Sequence, residues 1–282
     1  MILEKSINQA SKLLKSYNII SHELDAEIIL SNIMGVSREF LITNNKKNIS
    51  DNIIKKYQLA IKRRTNNEPV AYIIGRKEFW SQEFIVTNST LVPRPETELL
   101  IYKIIKIFKN KNINILDMGT GTGCILLSIL KELKNSRGIG IDISLKAIKV
   151  AKINSKKLDL NYRSRFINID LNKYNVGKYD LIVSNPPYIP SRDIKNLSKD
   201  IVNFEPLFAL DGGIDGLDLT KKVIYKSKHL LKRRGLLAIE IGNKQYKKTA
   251  IILKKSGFKI INKVNDYNDN VRCIISTKLD FF

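Results

Sequence analysis

Residues 113–125 have the sequence INILDMGTGTGCI, an apolar run that ends in three glycines at alternate positions. A helical spacing of apolar residues follows, at Ile125, Leu126, Ile129, Leu130 and Leu133. Glycines at such a point let the backbone turn sharply and let a ligand approach main-chain N–H groups at the start of a helix. The pattern therefore predicts a strand, then a helix, and between them a ligand-binding loop of Gly119, Thr120, Gly121, Thr122 and Gly123.

The acid that ends the next predicted strand limits the classes of ligand that the loop could bind. Residues 138–141 lead to Asp142, which is placed to accept hydrogen bonds from ribose hydroxyls, at a spacing comparable to that of dinucleotide-binding folds. A triphosphate-binding loop is disfavoured because there is no Gly-Lys-Ser/Thr. Cys124 occupies the last glycine position of the Gly-x-Gly-x-x-Gly found in nicotinamide enzymes. A nucleoside without a pyrophosphate, S-adenosylmethionine, fits the pattern best.

A second motif, Asn185-Pro186-Pro187-Tyr188, closely follows the apolar run 179–183. The Asn185 side-chain oxygen and a backbone carbonyl of the Pro-Pro segment are hydrogen-bond acceptors. The prolines hold these acceptors in a rigid frame, because proline fixes φ and has no N–H donor. The Tyr188 ring offers a flat face to a planar target. The motif predicts a site that holds a planar NH2 group.

These motifs resemble those of class I methyltransferases that modify exocyclic or amide nitrogens. Further stretches narrow the resemblance to the release-factor glutamine methyltransferases of the HemK/PrmC type. They are EPVAYIIG (68–75), EFW (78–80), LVPRPETE (91–98), FEP (204–206) and GGIDGL (212–217). The resemblance covers nearly the full length, and the Arg-Pro-Glu-Thr-Glu block separates this family from other Asn-Pro-Pro-Tyr enzymes. Met118, where the family more often has Leu, is a conservative departure.

The resemblance implies a fold, a reaction and a substrate. The expected fold is α/β, a seven-stranded, doubly wound, Rossmann-like sheet whose last strand is antiparallel, with a small all-helical N-terminal domain. The expected reaction transfers a methyl group from S-adenosylmethionine, leaving S-adenosylhomocysteine, to a glutamine side-chain nitrogen (N5). That glutamine belongs to the Gly-Gly-Gln motif of class I peptide chain release factors, which act in translation termination. No metal is expected.

Roles for single residues also follow from the resemblance. The Gly119–Gly123 loop is expected to hold the methionine part of the cofactor, and Asp142 the ribose. Asp170 and Leu171 are expected at the edge and face of the adenine. Asn185 is expected to touch both cofactor and target, and Asn185–Tyr188 to bind the glutamine.

Some residues keep a plainer explanation beside the functional one. Asp170 can be a solvated acid at a strand end. Thr97 and Glu98 either close over the cofactor or belong to the start of a helix. Glu205 can simply stabilise the insertion around it.

The chain is expected to divide into a helical, substrate-recognition domain (1–75), a β-hairpin linker (76–91) and a methyltransferase domain (92–282). In the last part, predicted strands alternate with helices, which is typical of a parallel, doubly wound sheet. The strands are expected near 113–117, 138–142, 164–169, 179–184, 235–241, 257–263 and 271–277. The helices are expected near 95–108, 123–134, 144–157, 217–233 and 243–256. Residues 189–216 form a long insertion, interpreted as a wall or lid over the target pocket.

The composition limits the number of domains and the cellular location that can be expected. With 282 residues and 43% hydrophobic content, the chain can form two domains with real cores. It contains no apolar run of 18 residues, its N-terminus lacks a signal-peptide pattern, and its two cysteines predict no disulfide framework. A cytoplasmic protein without a membrane partner is the simplest interpretation.

The net charge of +22 keeps a nucleic-acid function open. The runner-up is therefore an adenine-N6 or guanine-N2 methyltransferase acting on a flipped base. Against it, the lysines are spread along the whole chain, as an A/T-rich coding bias would produce, and specific nucleic-acid binding is not expected. The densest basic positions, Lys221 to Arg234, are predicted on a surface helix. A third possibility, an inactive cofactor-fold scaffold, is disfavoured because no part of the site is degraded.

Overall fold

The computed structural model describes residues 1–266 and 268–279, which form two compact units. The first unit comprises residues 1–76 and 198–204, and the second comprises residues 77–197 and the described residues from Glu205 onward. In chain order the elements are α1 (Leu3–Ser16), α2 (His22–Met34), α3 (Arg38–Thr43), α4 (Asp51–Thr65), α5 (Val70–Ile74), β1 (Arg76–Phe79), β2 (Gln82–Ile85), α6 (Pro95–Phe108), β3 (Asn114–Met118), α7 (Cys124–Glu132), β4 (Arg137–Asp142), α8 (Leu145–Lys157), β5 (Ser164–Asn168), β6 (Tyr179–Ser184), α9 (Lys199–Phe204), α10 (Asp218–Leu230), β7 (Leu231–Glu240), α11 (Tyr246–Lys255), β8 (Phe258–Asn265) and β9 (Val271–Lys278).

The first unit is helical, as expected for the N-terminal region. Ser37 and Ser50 cap α3 and α4, since their hydroxyls accept the backbone N–H groups of Phe40 and Ile53. Gly35 ends α2 in the left-handed conformation, with φ of 67°. The apolar faces of the helices pack into one core, which includes Leu3, Leu14, Ile29, Leu30 and Leu41. The predicted boundaries after residues 75 and 91 stay a prediction.

The second unit contains a seven-stranded sheet with the strand order β5-β4-β3-β6-β7-β9-β8. Strands β3 to β7 pair in parallel, and β9 is antiparallel to both β7 and β8. The predicted doubly wound, Rossmann-like sheet with an antiparallel last strand is therefore confirmed. A separate two-stranded sheet, β1-β2, precedes it.

Alternating side chains of the central strands enter two different cores. In β6, for example, Leu181 and Val183 pack in a core with α6, α7 and α8, whereas Ile182 packs in a core with α10 and α11. Strands buried on both faces read as nearly continuous apolar runs. This explains why the central strands β3, β4, β6 and β7 were readable from the sequence.

The predicted ligand-binding residues lie where the strand order of the sheet reverses. From β3 the chain continues to β4 and β5 on one side and then returns to β6 and β7 on the other. In such sheets ligands bind at the carboxyl ends of the strands beside this switch point. Those ends carry Gly119 after β3, Asp142 at the end of β4 and Asn185 after β6.

The predicted surface helix over 217–233 is too long. Helix α10 ends at Leu230, and Lys232, Arg233 and Arg234 already belong to β7. Leu231 is buried and pairs with Tyr179 of β6, and packing of this kind overrides the good helix propensity of lysine and arginine.

The insertion 189–216 contains short helical segments at Ser191–Asn196, Lys199–Phe204 and Leu207–Ala209. Its interpretation as a wall or lid stays a prediction. None of the described helices is both long enough and apolar enough to span a membrane.

Candidate active site

A cavity of about 250 Å³ opens at the carboxyl ends of β3, β4 and β6, within the second unit. The predicted site residues in its wall are Gly119, Thr120, Gly121, Thr122, Asp142, Asp170, Leu171, Asn185 and Pro187. Gly123, Pro186 and Tyr188 do not line it. The cavity thus brings the glycine loop and the Asn-Pro-Pro-Tyr segment together.

The three loop glycines, Gly119, Gly121 and Gly123, all have positive φ, of 76°, 54° and 81°. Their structural roles differ. At Gly119 and Gly121 an added Cβ would meet nothing within 4 Å, so these positions face open space. At Gly123 it would lie 3.1 Å from Leu127 and 3.2 Å from Phe166. Gly121 therefore keeps the cavity free, whereas Gly123 allows α7 to pack closely on the sheet.

Asp142 supports the loop as well as lining the cavity. Its Oδ2 accepts the backbone N–H of Gly121 at 2.9 Å, and its Oδ1 accepts that of Ser144 at 2.8 Å. Burial raises the pKa of the Asp142 carboxyl, and these hydrogen bonds oppose the shift. Each carboxylate oxygen can accept a second hydrogen bond, so Asp142 retains acceptor capacity for a diol.

A second acid, Asp117, is fully buried behind the loop. Its Oδ2 accepts the Thr120 hydroxyl at 2.6 Å, and its Oδ1 has no hydrogen-bond partner. Burial raises the pKa of Asp117 to about 7. Asn154, also fully buried, donates to the Thr122 carbonyl at 2.9 Å and completes the support of the loop.

Asp170 and Leu171 follow β5 and line the cavity. Asp170 caps a short 3-10 turn by accepting the Asn172 backbone N–H at 2.8 Å. The turn places the Leu171 side chain in the cavity wall. This local cap accounts for one oxygen of Asp170, and the contact of Asp170 with an adenine stays a prediction.

The Asn-Pro-Pro-Tyr segment leaves the sheet at a fixed point. The Ser184 hydroxyl donates to the Met118 carbonyl at 2.7 Å, which joins the ends of β6 and β3. Asn185 follows in the cavity wall, and its Nδ2 donates to Thr97 Oγ1 at 3.4 Å. The Tyr188 ring instead lies against Arg272, whose guanidinium carbon is 5.6 Å from the ring centroid. Desolvation raises the pKa of Tyr188 to about 12.

Gln245 holds the segment from behind. Its Nε2 donates to the carbonyls of Tyr188 at 2.9 Å and Gly216 at 3.1 Å, and its Oε1 accepts the Gly242 N–H at 2.8 Å. A Cβ on Gly216 would lie 2.3 Å from the Tyr188 carbonyl oxygen. Only glycine at 216 permits this close approach.

Thr97 and Glu98 separate into two roles. Thr97 lines the cavity, and its hydroxyl donates to Glu240 Oε2 at 2.7 Å. Glu98 does not line the cavity and accepts the Trp80 backbone N–H at 2.8 Å, in a turn where Trp80 has φ of 51°. Neither side chain caps α6.

Glu240 and Glu205 are buried acids beside the cavity residues. Glu240, at the end of β7, is fully buried, and this burial raises its pKa to about 7. Glu205 accepts Arg94 Nη2 at 2.6 Å with its side chain 2% exposed. This ion pair ties the insertion to the residues just before α6.

Comparison with known proteins defines the family. Residues 5–75 match the PrmC N-terminal domain, and residues 109–278 match a methyltransferase domain. The release factor glutamine methyltransferase of Clostridium acetobutylicum is 36% identical over 282 residues, with 99% of each chain covered. The enzyme of the same name from Caulobacter vibrioides is 35% identical, with 99% of this chain and 97% of that protein covered.

The chain belongs to the release factor glutamine methyltransferase family. A solved methyltransferase from Pyrococcus furiosus shares the fold, with a TM-score of 0.52 and 17% identity over 69% of this chain and 88% of that one.

Sequence reasoning missed the residues that hold the site in place, namely Glu240, Gln245, Asn154 and Arg272. Glu240 could have been recognised from the sequence, since it is an acid inside the apolar run Leu236–Ile241. Gln245 and Asn154 could not, because nothing in their local sequence distinguishes them from surface residues. Among the described residues, no group of three or more His, Cys, Asp or Glu side chains is placed to hold a metal ion.

Proposed function

We propose that this protein transfers the methyl group of S-adenosylmethionine to the side-chain amide nitrogen (N5) of the glutamine in the Gly-Gly-Gln motif of peptide chain release factors. The observation that carries the proposal is that Asn185 lies in the wall of the same cavity as the glycine loop and Asp142. A cofactor in that loop and an amide held by Asn185 would therefore meet. The names of the full-length relatives supply the substrate.

The cavity suits S-adenosylmethionine. Open space beside Gly119 and Gly121 leaves room for the methionine part, and Asp142 has acceptor capacity for ribose hydroxyls. Leu171 and Ile143 offer apolar contact to a planar base, with Asp170 nearby. When bound, the cofactor supplies a methyl group on a sulfonium, and the product S-adenosylhomocysteine is a neutral thioether. Such a leaving group needs no metal ion, so none is proposed.

The protein's own task is to position a weak nucleophile. The lone pair of an amide nitrogen is delocalised into the carbonyl, so orientation and stabilisation of developing positive charge must supply much of the rate. In the proposal, Asn185 Oδ1 and the Pro186 carbonyl each accept one N–H of the glutamine NH2. The nitrogen would form its bond to the methyl carbon as the bond from that carbon to sulfur breaks, and the proton it carries in excess would be lost to solvent afterwards, so no general base is required.

Three finer assignments belong to the same proposal. Residues 1–75 form the domain that recognises the protein substrate, and Pro187 and Tyr188 complete the glutamine site. Release factors work on ribosomes, so the enzyme is assigned to the cytoplasm through its substrate. Specific binding of nucleic acid is not part of the function.

The test is the intact mass of a release factor after incubation with the protein and S-adenosylmethionine. Gly-Gly-Gln should gain one methyl group. Gly-Gly-Asn should gain little, because the shorter side chain withdraws the nitrogen, and a misplacement of about 1 Å can cost on the order of 10²-fold in rate. Gly-Gly-Glu has no NH2 and should gain none. A methylated adenine-containing duplex beside an untouched release factor would overturn the proposal in favour of a nucleic-acid substrate.

A further inference from the structure

We propose that Thr97 and Glu240 form a hydrogen-bond relay that fixes which way the Asn185 side-chain amide faces. Both are then positioning residues for methyl transfer, an inference that rests on the proposed function. The relay joins three elements that are distant in sequence. They are the first turn of α6, the end of β7 and the segment that follows β6.

The contacts form a short chain. Thr97 Oγ1 donates to Glu240 Oε2 at 2.7 Å, and Asn185 Nδ2 donates to Thr97 Oγ1 at 3.4 Å. Thr97 is 2% exposed and Glu240 is fully buried, so water does not compete for these bonds. Because the contact from Asn185 is long, it serves to orient the amide and adds little to stability.

The donor-to-acceptor direction of the two hydrogen bonds in the relay follows from counting protons. A hydroxyl has one proton and two acceptor lone pairs. When Glu240 is ionised, the Thr97 proton goes to its carboxylate oxygen, so Thr97 can only accept from Asn185. The NH2 end of Asn185 must then face Thr97, and Oδ1 stays free to accept a hydrogen bond from the target. A reversed amide would set two acceptors against each other and present a donor to the target NH2.

The environment of Glu240 acts on this acid in two opposing ways. Its Oε1 has no hydrogen-bond partner, and leaving such a group buried lowers stability. An apolar residue of similar size would avoid that loss, but it would also remove the negative charge that faces the Arg272 guanidinium.

Turnover of matched variants tests the relay. Thr97→Val keeps the shape but removes the hydroxyl, and we expect kcat to fall by roughly 10- to 100-fold, since about 1 Å of misplacement can cost on the order of 10²-fold. Thr97→Ser keeps the hydroxyl. Its kcat should remain within about threefold of the wild-type value, a smaller change than the loss of one typical hydrogen bond would produce. Affinity for S-adenosylhomocysteine should change little in both. Equal turnover of the Val and Ser variants would overturn the relay.

Two further variants separate positioning from structure. Glu240→Met frees the Thr97 proton, so kcat should fall as in Thr97→Val, while the unfolding midpoint should not decrease. In an Asn185→Ala background, Thr97→Val should add almost no further loss, because its effect acts through Asn185. Retained turnover in Glu240→Met, or a full additional loss in the double variant, would contradict the proposal.

A measurement without substrate distinguishes failure of the relay from failure of the proposed function. The side-chain NH2 signals of Asn185 can be assigned in the NMR spectrum by their absence in Asn185→Ala. They should shift and exchange faster with solvent in Thr97→Val but not in Thr97→Ser. If the wild-type protein did not methylate release factors, this result would still stand. Unchanged signals in Thr97→Val would overturn the relay whatever the substrate.

Discussion

Gly121 combines a backbone conformation that strains other residues with an empty side-chain position. Its φ is 54°, and an added Cβ would meet no atom within 4 Å. A left-handed conformation costs a residue with a Cβ roughly 1–2 kcal/mol. Alanine at 121 should therefore fold with a modest loss of stability and place its methyl group inside the cavity.

We expect Gly121→Ala to weaken binding of S-adenosylhomocysteine by at least about tenfold, equivalent to about 1.4 kcal/mol. Gly35→Ala is the matched control, because Gly35 has φ of 67°, also meets nothing within 4 Å, and lies in the helical unit. Titration calorimetry and denaturant unfolding should show similar stability losses but a binding loss for Gly121→Ala alone. Equal binding by the two variants would place the cofactor elsewhere.

Asn185 is the side chain on which turnover should depend most. Asn185→Ala removes an acceptor used in the transition state, and one such hydrogen bond typically contributes about 10²–10³ to kcat. Asn185→Asp keeps acceptors in place, so its loss should be smaller. Steady-state rates on a release factor measure both, with cofactor affinity as the control. Near-normal turnover by Asn185→Ala would refute the amide-holding role.

At the scale of elements, the loop between β7 and α11 acts as a clamp on the segment after β6. Gln245→Glu is nearly isosteric but replaces two donated hydrogen bonds with a carboxylate that faces two carbonyl oxygens. Leaving such groups unpaired costs about 1–3 kcal/mol each. We expect lower stability and, because Tyr188 belongs to the proposed glutamine site, lower kcat.

Gln58→Glu controls for the charge change, since Gln58 is exposed on α4. It should leave both stability and turnover near the wild-type values. Denaturant unfolding and release-factor methylation measure the pair. If Gln245→Glu behaved like Gln58→Glu, the clamp would have no role in the site.

The sequence predicted the elements better than the contacts between them. Buried parallel strands are readable as apolar runs, and the antiparallel strands β8 and β9 were predicted as well. The end of α10 was misplaced because Lys232–Arg234 suit a helix as well as a strand. The glycine loop and Asn185, which line one cavity, could be singled out because each belongs to a contiguous motif. Thr97 and Glu240 are 143 residues apart, and no spacing rule joins residues across that distance.

At the scale of the whole molecule, the net charge of +22 predicts weak, unspecific attraction to nucleic acid. Such binding should fall at least about tenfold between roughly 50 and 200 mM salt, because it depends on counterion release, and it should show no sequence preference. Methylation of a release factor should fall much less over the same range. Fluorescence anisotropy with random RNA and mass spectrometry of the release factor measure the two. Methylation that followed RNA affinity would indicate a nucleic-acid-dependent activity.

Two fully buried acids also make the stability of the molecule depend on pH. Burial raises the pKa of both Asp117 and Glu240 to about 7, far above the values of exposed carboxyls. Between about pH 4 and 7 the unfolded chain has lost these protons while the folded protein retains them. The stability associated with each group is therefore present at low pH and is lost as the pH rises through about 7.

We accordingly expect the free energy of unfolding to decrease from pH 5.5 to pH 7.5, by up to about 1.4 kcal/mol per pH unit for each acid. Acids whose pKa is lowered, such as Asp211 and Asp266, act in the opposite direction only at lower pH and do not enter this window. Urea unfolding at several pH values provides the measurement. Glu240→Met and Asp117→Asn each remove one titrating group, so each should reduce the slope, and the double variant should reduce it further; Asp142, whose pKa is also raised by burial, remains in each. A wild-type stability that increased across this range would show that both acids are ionised in the folded protein.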